Sequence, residues 1–310
     1  MRVPPHAFFV VSAVFHYLGP AFAVLLFRHV DVLGVTWLRI AGAALVFAVW
    51  RRPWRVVPDL SPHGKKTLVA LGVVLAAMNA CFYQAIDRLP LGTVGGIEFL
   101  GPVALAAAGA RSRRNLVALA FVIAGVWLLT DIRLASQPVG LLFAFANCAL
   151  FVLYVVLGHR IARGGGMGAV DRLGGAMLVA LVVITPLGLE SAAPALRDPR
   201  LVAAGFGVGV CSSVIPYVCD QWAMARLSRA TFALLLALLP ATASGVGVLV
   251  LGQVPTGAEA VGVLFVISGV AVHRDKTGRE PKSGGNAGPL AEAGGRQRAA
   301  RAEEPAREVS

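Results

Sequence analysis

Two charged side chains stand where charge is expensive. Glu98 lies in the apolar run IEFLGPVALA and Arg39 in the apolar run WLRIAGAALV. An ionisable group at such depth in a bilayer is costly and marks a functional site by default. Counted from Leu91 and Leu33 at about 1.5 Å per residue, Glu98 lies about 10 Å and Arg39 about 9 Å below the same face. Matching depth allows the two to pair, or allows Arg39 to hold a substrate carboxylate while Glu98 meets an amine. The structural alternative is a buried ion pair that only fixes helix register. His16, near the middle of the first apolar run, is the side chain whose ordinary titration suits a switch near neutral pH. Asp220 lies near the end of the eighth run. Glu98, His16 and Asp220 are therefore the candidates for coupling to protons.

Uncharged polar groups collect in three other runs: Asn79, Tyr83 and Gln84 in the third, Asn147 and Tyr154 in the sixth, Ser212, Ser213 and Tyr217 in the eighth. Such groups line a polar cavity or bond from helix to helix. Asn79 and Tyr83, four apart, share a helix face. Asn79, Tyr83, Gln84, Asn147 and Tyr217 thus join Glu98 and Arg39 as expected substrate contacts. Gly92 and Gly96 form a small-xxx-small pair that permits close helix approach. Pro102 and Pro240 interrupt hydrogen bonding deeper in their runs. These four are assigned to packing or gating.

Other chemistries find no support. The chain has no HExxH, no GxSxG and no phosphate-loop signature, so an enzyme, a cofactor and direct ATP use are not expected. Cys81, Cys148, Cys211 and Cys219 all lie in apolar runs without CxxC or Cys/His spacing, which predicts neither disulfides nor a metal. The net charge of +12 comes in small clusters at the ends of apolar runs. That pattern differs from the clustered basic surface that nucleic-acid binding requires.

The elements that must position these residues are membrane helices. Of 310 residues 57% are hydrophobic and 14% charged, more apolar surface than a water-soluble globule of this length can hide. Ten apolar runs of spanning or near-spanning length fall at about 7–27, 33–50, 67–86, 91–110, 115–131, 139–158, 170–189, 201–223, 230–251 and 257–273. All are expected to be helices, which satisfy their own backbone in lipid. Arg2 and Ala21-Phe22-Ala23 resemble a signal peptide, but the first run is long enough to span and is read as a span. With the N-terminus inside, the inner connections carry Arg51, Arg52, Arg55, Lys65, Lys66, Arg111, Arg113 and Arg114 in the first half alone. The outer ones carry few basic residues, which places both termini in the cytoplasm. From Arg274 to Ser310 the composition turns to Gly, Ala, Pro, Arg and Glu, the signature of a disordered tail.

The two halves repeat. Shifting by 138 positions lays Ala85-x-x-Arg88-Leu89 on Ala223-x-x-Arg226-Leu227, Thr93 on Thr231 and Pro102 on Pro240. Five spans per half make the second copy inverted, a recurring plan of secondary transporters whose substrate site lies near the midplane between repeats. The expected fold is an all-α integral membrane protein of ten transmembrane helices in two inverted five-helix repeats, 1–133 and 134–273, followed by the tail 274–310.

WLRIAGAALV, MNACFYQAIDRLPLGTVGGIEFLGPVALA, RLSRATFALLLALLPA and the tenth span together resemble the EamA-type drug/metabolite transporter superfamily, with IEFLGPVALA nearest in wording to the threonine/homoserine exporter branch. The resemblance implies a secondary exporter of small polar metabolites, neutral amino acids such as threonine or homoserine foremost, coupled to protons by alternating access, in the inner or plasma membrane. Export of drugs or other metabolites is the alternative within the superfamily; a membrane sensor or intramembrane enzyme is the alternative outside it. The expected partners are the substrate, protons and the bilayer, with a homodimer also open. Relatives often carry a glutamate just before the second-copy proline. Here that place is Leu239, so the halves differ in charge.

Overall fold

The computed structural model describes residues 5–55, 57–109, 112–134, 136–162, 166–224 and 238–272. The helices are α1 (Pro5–Leu26), α2 (Val32–Arg51), α3 (Pro62–Ile86), α4 (Leu91–Gly109), α5 (Arg113–Leu134), α6 (Pro138–Ala162), α7 (Gly166–Ala192), α8 (Pro199–Gly209), α9 (Ile215–Met224), α10 (Leu238–Leu251) and α11 (Gly257–Val272). The described residues contain no strand. Each expected apolar run falls on helix to within a few residues, except that 230–237 lies outside the described residues, as do Arg226 of the second AxxRL turn and the tail 274–310.

Local signals start and stop these helices. Asp31 and Ser61 cap α2 and α3 by accepting from Leu33 N at 2.9 Å and Gly64 N at 3.1 Å. Asp198 does the same for α8, accepting from Arg200 N at 2.8 Å. Each cap satisfies a donor the helix cannot, and Pro62 and Pro199 follow at the first helical position, where a missing N–H costs nothing. Thr256 and Glu259 form a reciprocal capping box at α11: Glu259 Oε2 accepts from Thr256 N at 2.9 Å and Thr256 Oγ1 accepts from Glu259 N at 3.3 Å. Gly252, at φ 66°, takes the left-handed turn that closes α10.

Among the described residues, five helical stretches are long and apolar enough to cross a membrane: Val32–Arg51, Pro62–Ile86, Pro138–Gly158, Val170–Ala192 and Pro199–Cys219; shorter apolar ones include Val10–Leu26, Leu91–Gly101, Leu239–Leu251 and Gly257–Gly269. Their outward faces are apolar too. Leu142, Val182 and Leu249 are 68%, 72% and 86% exposed, which suits contact with lipid and not with water. Inside, one core gathers around Tyr17, Tyr83, Leu91, Ile97 and Leu129, and a second around Phe47, Leu71, Leu75 and Met177. The main helix pairings are α2 with α7, α5 with α11, α3 with α6 and α7, α1 with α9 and α10, α2 with α8, and α4 with α5, α6 and α10.

One stretch departs from regular helix. α8 passes into α9 through a single π turn, Val210–Val214, in which Ile215 N donates to Val210 O. The sequence reads as one uninterrupted span here.

Candidate functional site

Glu98 is carried by α4, and its buried carboxylate is held from two sides. Tyr17 Oη of α1 donates to Oε2 at 3.3 Å, and Asn147 Nδ2 of α6 donates to Oε1 at 3.2 Å. Tyr17 and Asn147 are fully buried and Glu98 is 4% exposed. The His16 ring meets the Tyr17 ring edge to face at 5.1 Å between centroids.

Arg39, on α2, is held by the π turn. Its Nε donates to Ser213 Oγ and its Nη2 to the Ser212 carbonyl, each at 3.2 Å. Sequence explains why that carbonyl accepts an outside donor. An α-helical ladder would offer it the N–H of residue 216, which is a proline and has none. Close packing brings the guanidinium there: Gly209 lets α8 lie against the Arg39 backbone carbonyl, and Gly19 lets α1 lie against Ser212. The guanidinium also sits over the Tyr83 ring at 4.9 Å from its centroid, a cation–π contact.

Arg39 and Glu98 are within electrostatic reach of each other, yet they do not form an ion pair; among the described residues the ion pairs are Arg51–Asp171 at 2.6 Å and Arg88–Asp87 at 3.3 Å. The direct-pairing expectation is thereby corrected: each charge has neutral partners of its own. Between them several buried atoms keep hydrogen-bonding capacity unused. Arg39 Nη1, Tyr83 Oη, Ser212 Oγ and Asn147 Oδ1 have no hydrogen-bond partner. The Tyr83 hydroxyl lies beside Ser212 and the guanidinium but completes no bond to either. Buried polar atoms without partners are rare and costly. Three of the four belong to Arg39 or its neighbours Tyr83 and Ser212, and the fourth, an acceptor, to the Asn147 amide that meets Glu98.

The other expected residues divide. Asn79 is buried but donates to its own helix, Nδ2 to Leu75 O at 2.7 Å. Gln84 is engaged by Arg88 through both its side-chain and backbone oxygens, at 2.6 and 2.7 Å, and so closes the α3–α4 hairpin. Tyr217 packs against Tyr154 at 6.1 Å between ring centroids and belongs to the second core. Asp220 lies on α9 and Pro102 on α4, with side chains outside the described residues. Pro240 is buried in α10. Gly92 and Gly96 are close-packing positions, where a Cβ would come within 2.6 Å of Ser244 Oγ and of Leu129 Cδ1 respectively. One residue of this cluster escaped the sequence reading: Tyr17, whose only signal is a hydroxyl in an apolar run.

Two cavities, of about 390 and 310 Å³, lie outside this cluster. The first is lined by Ser61, His63, Thr67, Arg160 and Arg172 among others, the second by Thr93, Ser244, Gln253 and Glu259 among others. Neither is lined by Glu98 or Arg39.

Comparison with known proteins agrees with the helical plan. Residues 138–273 match the EamA-like transporter family. The chain is 29% identical over 253 residues to the threonine/homoserine exporter RhtA of Salmonella typhimurium strain SL1344, covering 81% of this chain and 84% of that protein. The Escherichia coli K12 protein of that name gives the same figures. A solved crystal structure aligns with a TM-score of 0.52 at 20% identity, over 86% of this chain and 96% of that one, a likeness of fold alone. Residues 138–273 are thus similar to the EamA-like transporter family, and four-fifths of the chain is similar to threonine/homoserine exporters.

Proposed function

We propose that the protein exports a small zwitterionic metabolite, a neutral amino acid such as threonine or homoserine, bound between Arg39 and Glu98. The observation that carries this reading is the set of unpartnered buried atoms. Arg39 Nη1, Tyr83 Oη and Ser212 Oγ suit a carboxylate, for which a guanidinium supplies directed donors. Glu98 and Asn147 Oδ1 suit an ammonium group. A drug-like substrate would instead require an apolar lining. The RhtA name of the relatives agrees with an amino-acid cargo.

The same reading includes ten membrane helices in two inverted repeats. Support comes from how contacts map. Gly209 lies against the Arg39 carbonyl and Gly72 against the Ala176 carbonyl; 72 to 209 and 39 to 176 are each 137 residues on. Gly205 meets Leu38 and Gly175 meets Leu68, again the same shift. Gly125 and Gly262 meet each other's carbonyls, as positions near a two-fold axis must. With basic residues clustered at one end, the termini lie in the cytoplasm. The cargo site is reached from either side by alternating access, the transport mode of inverted repeats. Glu98 is the group that exchanges a proton with the cargo's departure, with His16 beside Tyr17.

The test is counterflow in proteoliposomes, with a panel of amino acids and amines, with and without a proton gradient. Wild-type protein exchanges threonine or homoserine, and Glu98→Gln lowers the rate by about 10- to 100-fold, the loss expected for one charge-assisted contact. Wild-type exchange by folded Glu98→Gln protein would refute the reading.

A further inference from the structure

Tyr83, on α3, is fully buried, and its ring is held on several sides. The Arg39 guanidinium lies over it at 4.9 Å from the centroid. Phe27 meets it edge to face at 5.6 Å, and Phe82 lies tilted against it at 6.1 Å between centroids. A ring so held cannot carry its hydroxyl elsewhere, yet Tyr83 Oη has no hydrogen-bond partner. An unpaired buried hydroxyl is costly, and a phenylalanine would fill the same space without that cost. The oxygen is explained by a ligand that meets it.

A phenol has a proton to give and a lone pair that receives one. With a zwitterion bound as proposed above, the Tyr83 proton goes to the cargo carboxylate, beside Arg39 Nη1. A carboxylate accepts only, so the lone pair on Tyr83 Oη is left over. The remaining orphan atoms are placed otherwise. Asn147 Oδ1 belongs to the amide that meets Glu98, and Ser212 Oγ is packed against the Gly19 backbone.

We infer that Tyr83 selects cargo with a hydroxylated side chain: its Oη donates to the carboxylate and accepts from the cargo hydroxyl. In a β-hydroxy amino acid the hydroxyl and the carboxylate are close neighbours, so one oxygen can meet both. An aliphatic cargo leaves the lone pair buried and unmet, and a site built to bond a hydroxyl rejects the analogue that lacks it. The inference rests on the zwitterionic cargo of the proposed function and adds what its side chain must carry.

Threonine and valine have nearly the same shape and differ by a hydroxyl in place of a methyl. Counterflow of the two is compared in proteoliposomes holding wild type or Tyr83→Phe. Wild type exchanges threonine faster by about tenfold or more, and in Tyr83→Phe the ratio falls to within about twofold. Loss of the proton given to the carboxylate weakens both cargoes alike, so the ratio isolates the side chain. Tyr83→Phe keeps the ring under Arg39 and removes an unpaired buried hydroxyl, so its Tm is not lowered. If the variant turns over too slowly to compare, the Tm rise given by threonine against that given by valine at equal concentration supplies the ratio. A threonine preference retained in Tyr83→Phe overturns the inference. Equal exchange of the two by wild type also overturns it and leaves the zwitterion reading standing, whereas exchange of neither by wild type sinks both.

Discussion

At the scale of single residues, the two charges of the proposed site have separate partners. Glu98 is solvated by Tyr17 and Asn147, Arg39 by Ser213 and the Ser212 carbonyl. On the proposed reading neither has to break an ion pair before meeting cargo, and both are already buried and hydrogen-bonded. Tyr17→Phe removes one of the two donors to the carboxylate while preserving ring packing. The expected result is export slowed about tenfold, with a Tm close to wild type; a wild-type rate would remove Tyr17 from the site. Glu98 and Arg39 were legible in the sequence because a charge in an apolar run announces itself. Their separate partners were not. Depth from a helix end fixes height in the membrane, but which way a side chain turns about the helix depends on tertiary packing. Tyr17 was missed for a related reason: a tyrosine in an apolar helix reads as core until its hydroxyl is seen against a carboxylate.

Among the elements, the π turn is a place where the two proposed halves fall out of step by one residue. In the proposed repeat the offset is 137 before it, at Gly72 and Gly209, and 138 just after it, at Ala85 and Ala223, and it is 137 again at Gly125 and Gly262. A π turn inserts one residue into a helix and commonly marks function, and here the added residue accompanies the anchor for Arg39. The first half supplies the arginine and the second half the seat. Sequence gives little warning of such a turn, because one extra apolar residue leaves composition and length almost unchanged; Pro216 is the only local hint. The helix runs themselves were legible from apolar length, and their caps from Asp31, Ser61, Asp198 and Thr256. The seat depends on close approach. A Cβ at Gly209 would strike the Arg39 carbonyl, whereas Gly207 has nothing within 4 Å. Gly209→Ala therefore costs about 1–3 kcal/mol, lowering Tm by roughly 2–8 °C, and Gly207→Ala leaves Tm unchanged within a degree or two. Equal melting of the two variants would contradict the packing described for α8.

For the whole molecule, the proposed inverted arrangement sets which side of the membrane each connection faces. Ser61 and Asp198 each precede the helix whose start they cap, α3 in the first half and α8 in the second. Those two helices correspond between the repeats, so the reading places their caps on opposite sides. Single cysteines at 61 and 198, in a variant lacking the four native ones, are expected to react with a membrane-impermeant maleimide from the cytoplasmic and the outer side respectively. Labelling of both from one side would rule out inverted insertion. The proposed function rests finally on recognition of a zwitterion between Arg39 and Glu98, and an exchange ratio tests that most directly. Threonine and threonine amide, which lacks the carboxylate, are compared as counterflow substrates in wild type and Arg39→Gln. The account predicts a preference for threonine of about tenfold or more in wild type, collapsing toward unity in Arg39→Gln because the lost guanidinium is what reads the carboxylate. An undiminished preference in Arg39→Gln would contradict it.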